Sequence, residues 1–237
     1  DGAGGLVVGS AAAAAGAAGL GFEEETDGNV GPTSVVDVFL VCAAIGGGGA
    51  KKMACLAEHR HMKLIPWGGV AAHISRNSHP PPAFEGHAFC FLPLPVNTLL
   101  PVHVNGFFEL SSNRRDIWFG EDMQGEGKRR SEWNNLLLRD VIAPIYAALV
   151  ARARDVMHAG PQHQALLPAA ETPKPWETVV AATYANLKSV PVLYSRSATG
   201  GKGRWVSPGE AVVVEEVDED GGGGTEERVE HAKRLTK

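Results

Sequence analysis

"LPVHVNGFFELSSNRRDIWFG", Leu100 to Gly120, begins as an alternating run and ends as a polar loop. Val102, Val104, Gly106 and Phe108 fall on one side of an extended chain, and His103, Asn105 and Phe107 on the other. That period of two belongs to a half-buried strand. The strand then gives way to Ser-Ser-Asn-Arg-Arg-Asp ahead of Trp118. A guanidinium is a planar fork that matches phosphate oxygens or a carboxylate. In an extended segment, Arg114 and Arg115 point to opposite sides. Asn113, Arg114 and Arg115 are therefore the candidate site, a loop that senses phosphate or meets a partner. Two readings stand side by side. In one, an arginine faces a partner while its neighbour ties the loop down. In the other, both bond to acids such as Asp116, and Trp118 covers the edge of the core.

The segments around this run read as strands and helices in series. "HAFCFLPLP", His87 to Pro95, is an apolar strand stopped by Pro93 and Pro95, and the short link to the Val102 run suits an antiparallel pair. Ahead of it, Ser34 to Ala44 is β-branched and of strand length, closed by Gly46 to Gly49. "AKKMACLAEHRH" reads as a short amphipathic helix. Met62 to Ile74 is a further apolar strand in which Pro66 implies an edge or a bulge. From Ser131, taken as an N-cap, Trp133, Leu137, Val141, Ile145 and Ala148 form a helical stripe, with a kink or a helix junction expected at Pro144. A second helix follows Pro175, with Trp176, Val179, Val180 and Tyr184 as its core face. Val190 to Tyr194 and the strand after "GGKG" form a hairpin.

These segments predict an α+β fold: a mostly antiparallel or mixed sheet packed by two or three helices, with flexible Gly-rich termini. The expected organisation is a low-complexity or disordered segment over residues 1–33, an α+β region over 34–215 and a charged Gly-rich tail over 216–237. "LVVGSAAAAAGAAGLG" is too short, too Ala/Gly-rich and too poorly flanked to be read as a membrane span.

Composition narrows the function classes. The chain has 237 residues, 44% of them hydrophobic, and a formal net charge of −5. That length suffices for one large domain or two small ones. An acidic balance argues against a dedicated nucleic-acid binder. The three cysteines are too few and too irregular for a disulfide framework and favour a reducing, cytoplasmic setting. Cys55 with His59 and His87 with Cys90 have tolerable spacing for zinc, but both cysteines lie in apolar segments and read as buried thiols, so no metal is assigned. There is no Gly-x-Ser-x-Gly elbow. "GGGGAKK" and "GGKGRW" lack the Gly-Lys-Ser/Thr ending of a phosphate loop. No enzyme motif is complete, and the chain is read as non-catalytic.

"AFCFLPLP", "LPVHVNGFFELSSNRRDIWFG", "RSEWNNLLLRDVIAPIYAALV" and "VPVLYS…RWVSPGEA", in that order, resemble the sacsin family, and most closely its plant and algal members. The resemblance runs from about Val35 to about Glu215; where the family usually has a glycine before the Leu100 block, this chain reads "TLLP". It implies a segment just downstream of the GHKL-type, heat-shock-chaperone-like ATP-binding domain of a sacsin repeat. The ATP domain's own boxes are not in this chain, since "DGAGG" has Ala3 where the first box needs glycine. The resemblance thus implies no cofactor here, with ATP and Mg²⁺ in the upstream domain only. It implies protein clients or co-chaperones as partners, with no nucleic acid and no membrane span. By analogy with related chaperones, Arg114 or Arg115 would sense the nucleotide's terminal phosphate. Two alternatives are a nucleotide-independent scaffold or interaction module, and a segment that completes the active site of an ATPase in the full-length protein.

Overall fold

The structure, a computed structural model, describes residues 7–15, 35–82, 84–120, 124–157, 160–195 and 203–211. The tail at 216–237 and most of residues 1–33 lie outside these, as do Glu121 and Asp122. The architecture is α+β. The strands are β1 (Val7–Ala15), β2 (Val35–Ile45), β3 (Trp67–Arg76), β4 (His87–Cys90), β5 (Leu92–Asn97) and β6 (His103–Gly106), and they form one sheet in the order β1-β2-β3-β6-β4-β5. All neighbours are antiparallel except β4 and β6, which run parallel. A two-stranded antiparallel sheet, β7 (Leu193–Ser195) with β8 (Arg204–Val206), stands apart from it.

Several expectations are met. Val102, Val104 and Phe108 are buried, whereas His103, Asn105 and Phe107 are half-exposed. Three others need correction. His87–Cys90 pairs in parallel with β6, so the two runs do not form the antiparallel hairpin that their spacing suggests. The hairpin is instead local: the chain reverses at Phe91, and "LPLPVN" becomes β5, the outer strand. Pro93 and Pro95 lie inside β5 and do not stop the strand. An edge strand tolerates them because a residue without an N–H leaves no ladder bond unmade on the outer side. Pro66 precedes β3, a central strand, and its carbonyl accepts from the Gly46 amide at 2.7 Å; the bulge falls in β2, between Val38 and Phe39.

The helices are α1 (Gly48–Cys55), α2 (Gly125–Leu137), α3 (Ala143–Val156), α4 (Pro161–Gln164) and α5 (Glu177–Leu187). A 3₁₀ turn, Ala57–Met62, follows α1. Ser131 is not the N-cap of α2: the helix begins six residues earlier, through a charged turn that carries no apolar periodicity to betray it. At Pro144 the junction that the sequence implies is a wide π turn, Leu138–Ile142, in which the Ala143 N–H donates to the Leu138 carbonyl. Widening the turn accommodates a residue that cannot donate to the carbonyl four positions back. Trp133, Leu137, Val141 and Ile145 are buried, as the stripe requires, and Ala148 is half-buried.

The core lies between one face of the sheet and these helices. Leu40, Cys42, Val70, Ala72, Ala88 and Val104 point into it and meet Leu137, Leu138, Ile142, Leu149 and Val150. Contact is close at Gly68, where a Cβ would lie 2.5 Å from the Ile142 Cδ1. A larger residue there would push the helix layer off the sheet. On α5, Trp176, Val179 and Val180 are buried and Tyr184 is half-buried, donating its hydroxyl to the Pro168 carbonyl. Among the described residues no helix is long and apolar enough to cross a membrane.

Candidate functional site

The loop from Glu109 to Gly120 is a second, miniature hairpin attached to the end of β6. Leu110 and Ile117 form an isolated antiparallel bridge, and the Trp118 N–H donates to the Glu109 carbonyl at 3.0 Å. The tip is tied by its own side chains. The Ser111 hydroxyl donates to the Asn113 Oδ1 at 2.6 Å, and the Arg115 N–H donates to the same oxygen at 2.9 Å. The Arg114 N–H donates to the Ser111 carbonyl at 2.8 Å, and the Asp116 N–H to the Ser111 Oγ at 3.2 Å. Ser and Asn offer the backbone local partners of this kind, which is why they concentrate in turns.

Helix α2 holds the base of this hairpin. Asn134 is fully buried and makes three bonds: its Oδ1 accepts from the Glu109 N–H at 2.9 Å, and its Nδ2 donates to the carbonyls of Glu109 and Trp118, both at 2.8 Å. One helical residue earlier, the Trp133 indole donates to the Phe107 carbonyl at 2.8 Å. The Ser131 hydroxyl both donates to the Gly120 carbonyl and accepts from its amide. Arg130 sits 5.7 Å from the centre of the Trp118 ring and pairs with Glu126 at 2.7 Å and Glu109 at 3.6 Å. Burial raises the Glu109 carboxyl and Arg130 pulls the other way; burial prevails. "RSEWNN" is therefore the clamp for "GFFELSSNRRDIWFG".

The three candidate residues land at the tip of this turn, and all are exposed. Arg114 has a left-handed backbone (φ 57°), so the segment is not extended and the two arginines are not splayed by strand alternation. Asn113 directs its Oδ1 into the turn and is an organiser of the loop. Neither arginine forms an ion pair among the described residues; Asp116 contributes its backbone to the turn. What the geometry offers is a rigid base with two guanidinium groups facing solvent.

The glycine-rich turn before α1 has a different use. The Gly49 and Ala50 amides, at the helix N-terminus, donate to the Asp140 Oδ2 at 2.6 and 3.2 Å. Such amides are suited to an anion, and here the anion is a carboxylate from the same chain. Burial alone would raise the Asp140 carboxyl, but the Arg139 hydrogen bond and the two amides together hold it below its usual value. Gly48 is left-handed (φ 58°), and a Cβ on it would meet the Asp140 carboxylate at 2.8 Å. Sequence reasoning missed Asp140, for nothing in "LLLRD" signals a partner 91 residues away.

The face of the sheet that turns away from the helices carries a third cluster, also missed. Asp37 accepts from the His73 Nε2 at 2.8 Å and from the Arg76 Nε and Nη2 at 2.7 and 3.0 Å. The Arg76 hydrogen bond, and after it His73, lower the Asp37 carboxyl against the pull of burial. Phe39 stacks on His73 at 4.7 Å, and Phe84 and Phe89 pack edge-on against His103 at 4.5 and 5.2 Å. Burial lowers the His103 pKa, helped by His87 and His73. Among the described residues no group of three His, Cys, Asp or Glu side chains could hold a metal. Cys55 is exposed, contrary to its expected burial, because it ends α1 facing away from the core; Cys90 is half-buried and donates to the Phe108 carbonyl.

No family model matches the chain, and no solved structure matches it. A curated protein does: the chain is 38% identical to Sacsin of Homo sapiens over 135 residues, which is 55% of this chain. Over those residues the chain is similar to Sacsin. The match covers 3% of the length of Sacsin, so it concerns one small part of that protein.

Proposed function

We propose that this chain is a segment of a sacsin-like, chaperone-related protein. It is non-catalytic by itself and couples an ATP-binding domain that precedes it in the polypeptide to the handling of protein clients in the cytoplasm. The observation that carries this reading is the 38% identity to Sacsin over more than half of the chain. The site supports it in two ways. At the glycine-rich turn the amides already hold Asp140, which leaves them no role in cradling a nucleotide. At the hairpin tip, Arg114 and Arg115 are exposed on a loop clamped to α2, so a cation can be presented to a neighbouring domain without first ordering the loop. ATP and Mg²⁺ belong to the preceding domain in this reading, and co-chaperones or clients are the partners.

The test is ATP turnover by the native polypeptide that carries this segment, compared with the same polypeptide bearing Arg114→Ala and Arg115→Ala. Loss of about tenfold or more in turnover is expected if a guanidinium stabilises phosphate charge. Equal turnover would overturn the coupling role of the loop. ATP hydrolysis by the present chain alone would overturn the non-catalytic assignment.

A further inference from the structure

A groove of about 600 Å³ runs between α1 with its following 3₁₀ turn and the first turns of α2; apart from Gly49, its lining residues lie outside the two loops described above. Its floor is apolar: Met53 is buried, Leu136 is half-buried and Leu56 is 47% exposed. Its rim carries three cations and two carboxylates, Glu58 and Glu132. Lys52, Lys128 and Arg129 line it, all three exposed and none in an ion pair among the described residues. The neighbouring Arg130 is already committed to Glu126 and Glu109.

The charge around this groove departs from that of the chain as a whole. Residues Ala50–Lys63 and Gln124–Glu132 together carry seven Lys and Arg against three Glu, in a protein of net charge −5. Concentrating unpaired cations in one place costs self-repulsion, which a bound acidic group removes. The backbone adds to the same field. Gln124, the residue before α2, places no side-chain hydrogen bond on the first turn, and Gly125, the first residue of this 13-residue helix, lines the groove. In the wall, His59 is 7% exposed; its Nε2 lies 3.3 Å from the Glu58 Oε1, and its Nδ1 has no hydrogen-bond partner among the described residues. Buried polar atoms are paired in most settled interiors, so each exception calls for an explanation.

We infer that this groove is a docking site for an acidic peptide segment of a partner protein, one in which carboxylates flank an apolar side chain. The carboxylates meet Lys52, Lys128, Arg129 and the open turn of α2, and the apolar side chain covers Leu56 and Leu136. A nucleic-acid backbone fits less well. Glu58 and Glu132 also line the groove and would oppose a uniform run of phosphates, whereas a peptide can place a neutral residue beside them.

The probe is a fluorescein-labelled octapeptide of Asp and Glu with two central leucines, titrated with the full chain at low ionic strength and followed by anisotropy. Saturable binding is expected. It should weaken by about tenfold or more in Lys52→Glu with Arg129→Glu, as reversed charges at a docking rim require. Arg114→Ala with Arg115→Ala should leave it unchanged within about twofold, because neither residue lines the groove. The substituted positions in both variants are exposed, and a matching thermal melt checks that each folds. Absence of saturable binding, equal affinity in the charge-reversed chain, or tighter binding of a single-stranded oligonucleotide of equal charge would each overturn the inference. An outcome in which only the Arg114 and Arg115 changes abolish binding would place the acidic partner at the hairpin tip and overturn it too.

Discussion

Two loops of this chain each carry a sequence feature suited to an anion, and they behave in opposite ways. The turn at Gly46–Gly49 has the glycines and following lysines of an anion cradle, and the turn at Ser111–Asp116 has the arginines of one. In the first, backbone amides point inward and an internal carboxylate, Asp140, occupies them. In the second, backbone and short polar side chains satisfy one another, and the cationic groups are left outside. A glycine-rich stretch is thus a statement about backbone approach, and only the fold decides what approaches. The arginine turn was ambiguous for the converse reason: its side chains could have faced in or out, and Asn113 settled the matter by taking the interior bonds.

The contrast is broken most severely at the clamp beneath the arginine turn. Asn134→Ala removes three hydrogen bonds made by a fully buried side chain to half-buried backbone and leaves the Glu109 amide without its acceptor. The expected loss is about 3 kcal/mol, since unpaired buried polar groups carry their full desolvation cost. A urea titration followed by tryptophan fluorescence reads it. A loss below about 1 kcal/mol would mean that the loop is not held by α2 in the way its bonds indicate.

At the other turn the corresponding change is smaller. Asp140→Ala deprives the Gly49 and Ala50 amides of their acceptor and Arg139 of its partner, but this corner is half-exposed, so water can take over part of the bonding. About 1 to 2 kcal/mol is expected, the range for a lost helix cap. The same denaturant titration measures it. An effect as large as that of Asn134→Ala would reverse the ranking of the two clamps.

That ranking was not legible from the sequence, although much of the framework was. Alternation along Val102–Phe108 and the stripe from Trp133 to Ile145 are local periodicities, and the structure buries those residues. The parallel union of β4 with β6 is not local: the alternation of a strand says which side is buried but is silent about the direction of its neighbour. The true start of α2 was hidden because its first turn is charged on every side, leaving the apolar stripe to begin only at Trp133. Asp140 and Asn134 were hidden for a third reason. Each acts on backbone groups, and backbone groups are the same in every sequence, so no residue pairing announces the contact. The exposed position of the arginines depended on Ser111, which sequence reasoning left unassigned, and on Asn113, which it placed in the candidate site and not in the framework of the turn.

The smallest effect is the most discriminating one. Arg114→Ala with Arg115→Ala removes two exposed side chains that have no ion-pair partner among the described residues, while the turn is built from Ser111, Asn113 and backbone groups. Stability should therefore change by no more than about 0.5 kcal/mol, as for ordinary surface positions. Arg114 alone holds a left-handed backbone, and alanine tolerates that region about as poorly as arginine, so the exchange adds little strain. A melting temperature that falls as far as it does for Asp140→Ala would show that the guanidinium groups hold the loop together, and the distinction between an inward-bonded turn and an outward-facing one would collapse. A melting temperature that stays put, together with altered ATP turnover in the longer polypeptide proposed above, would assign the two arginines to an encounter outside this chain.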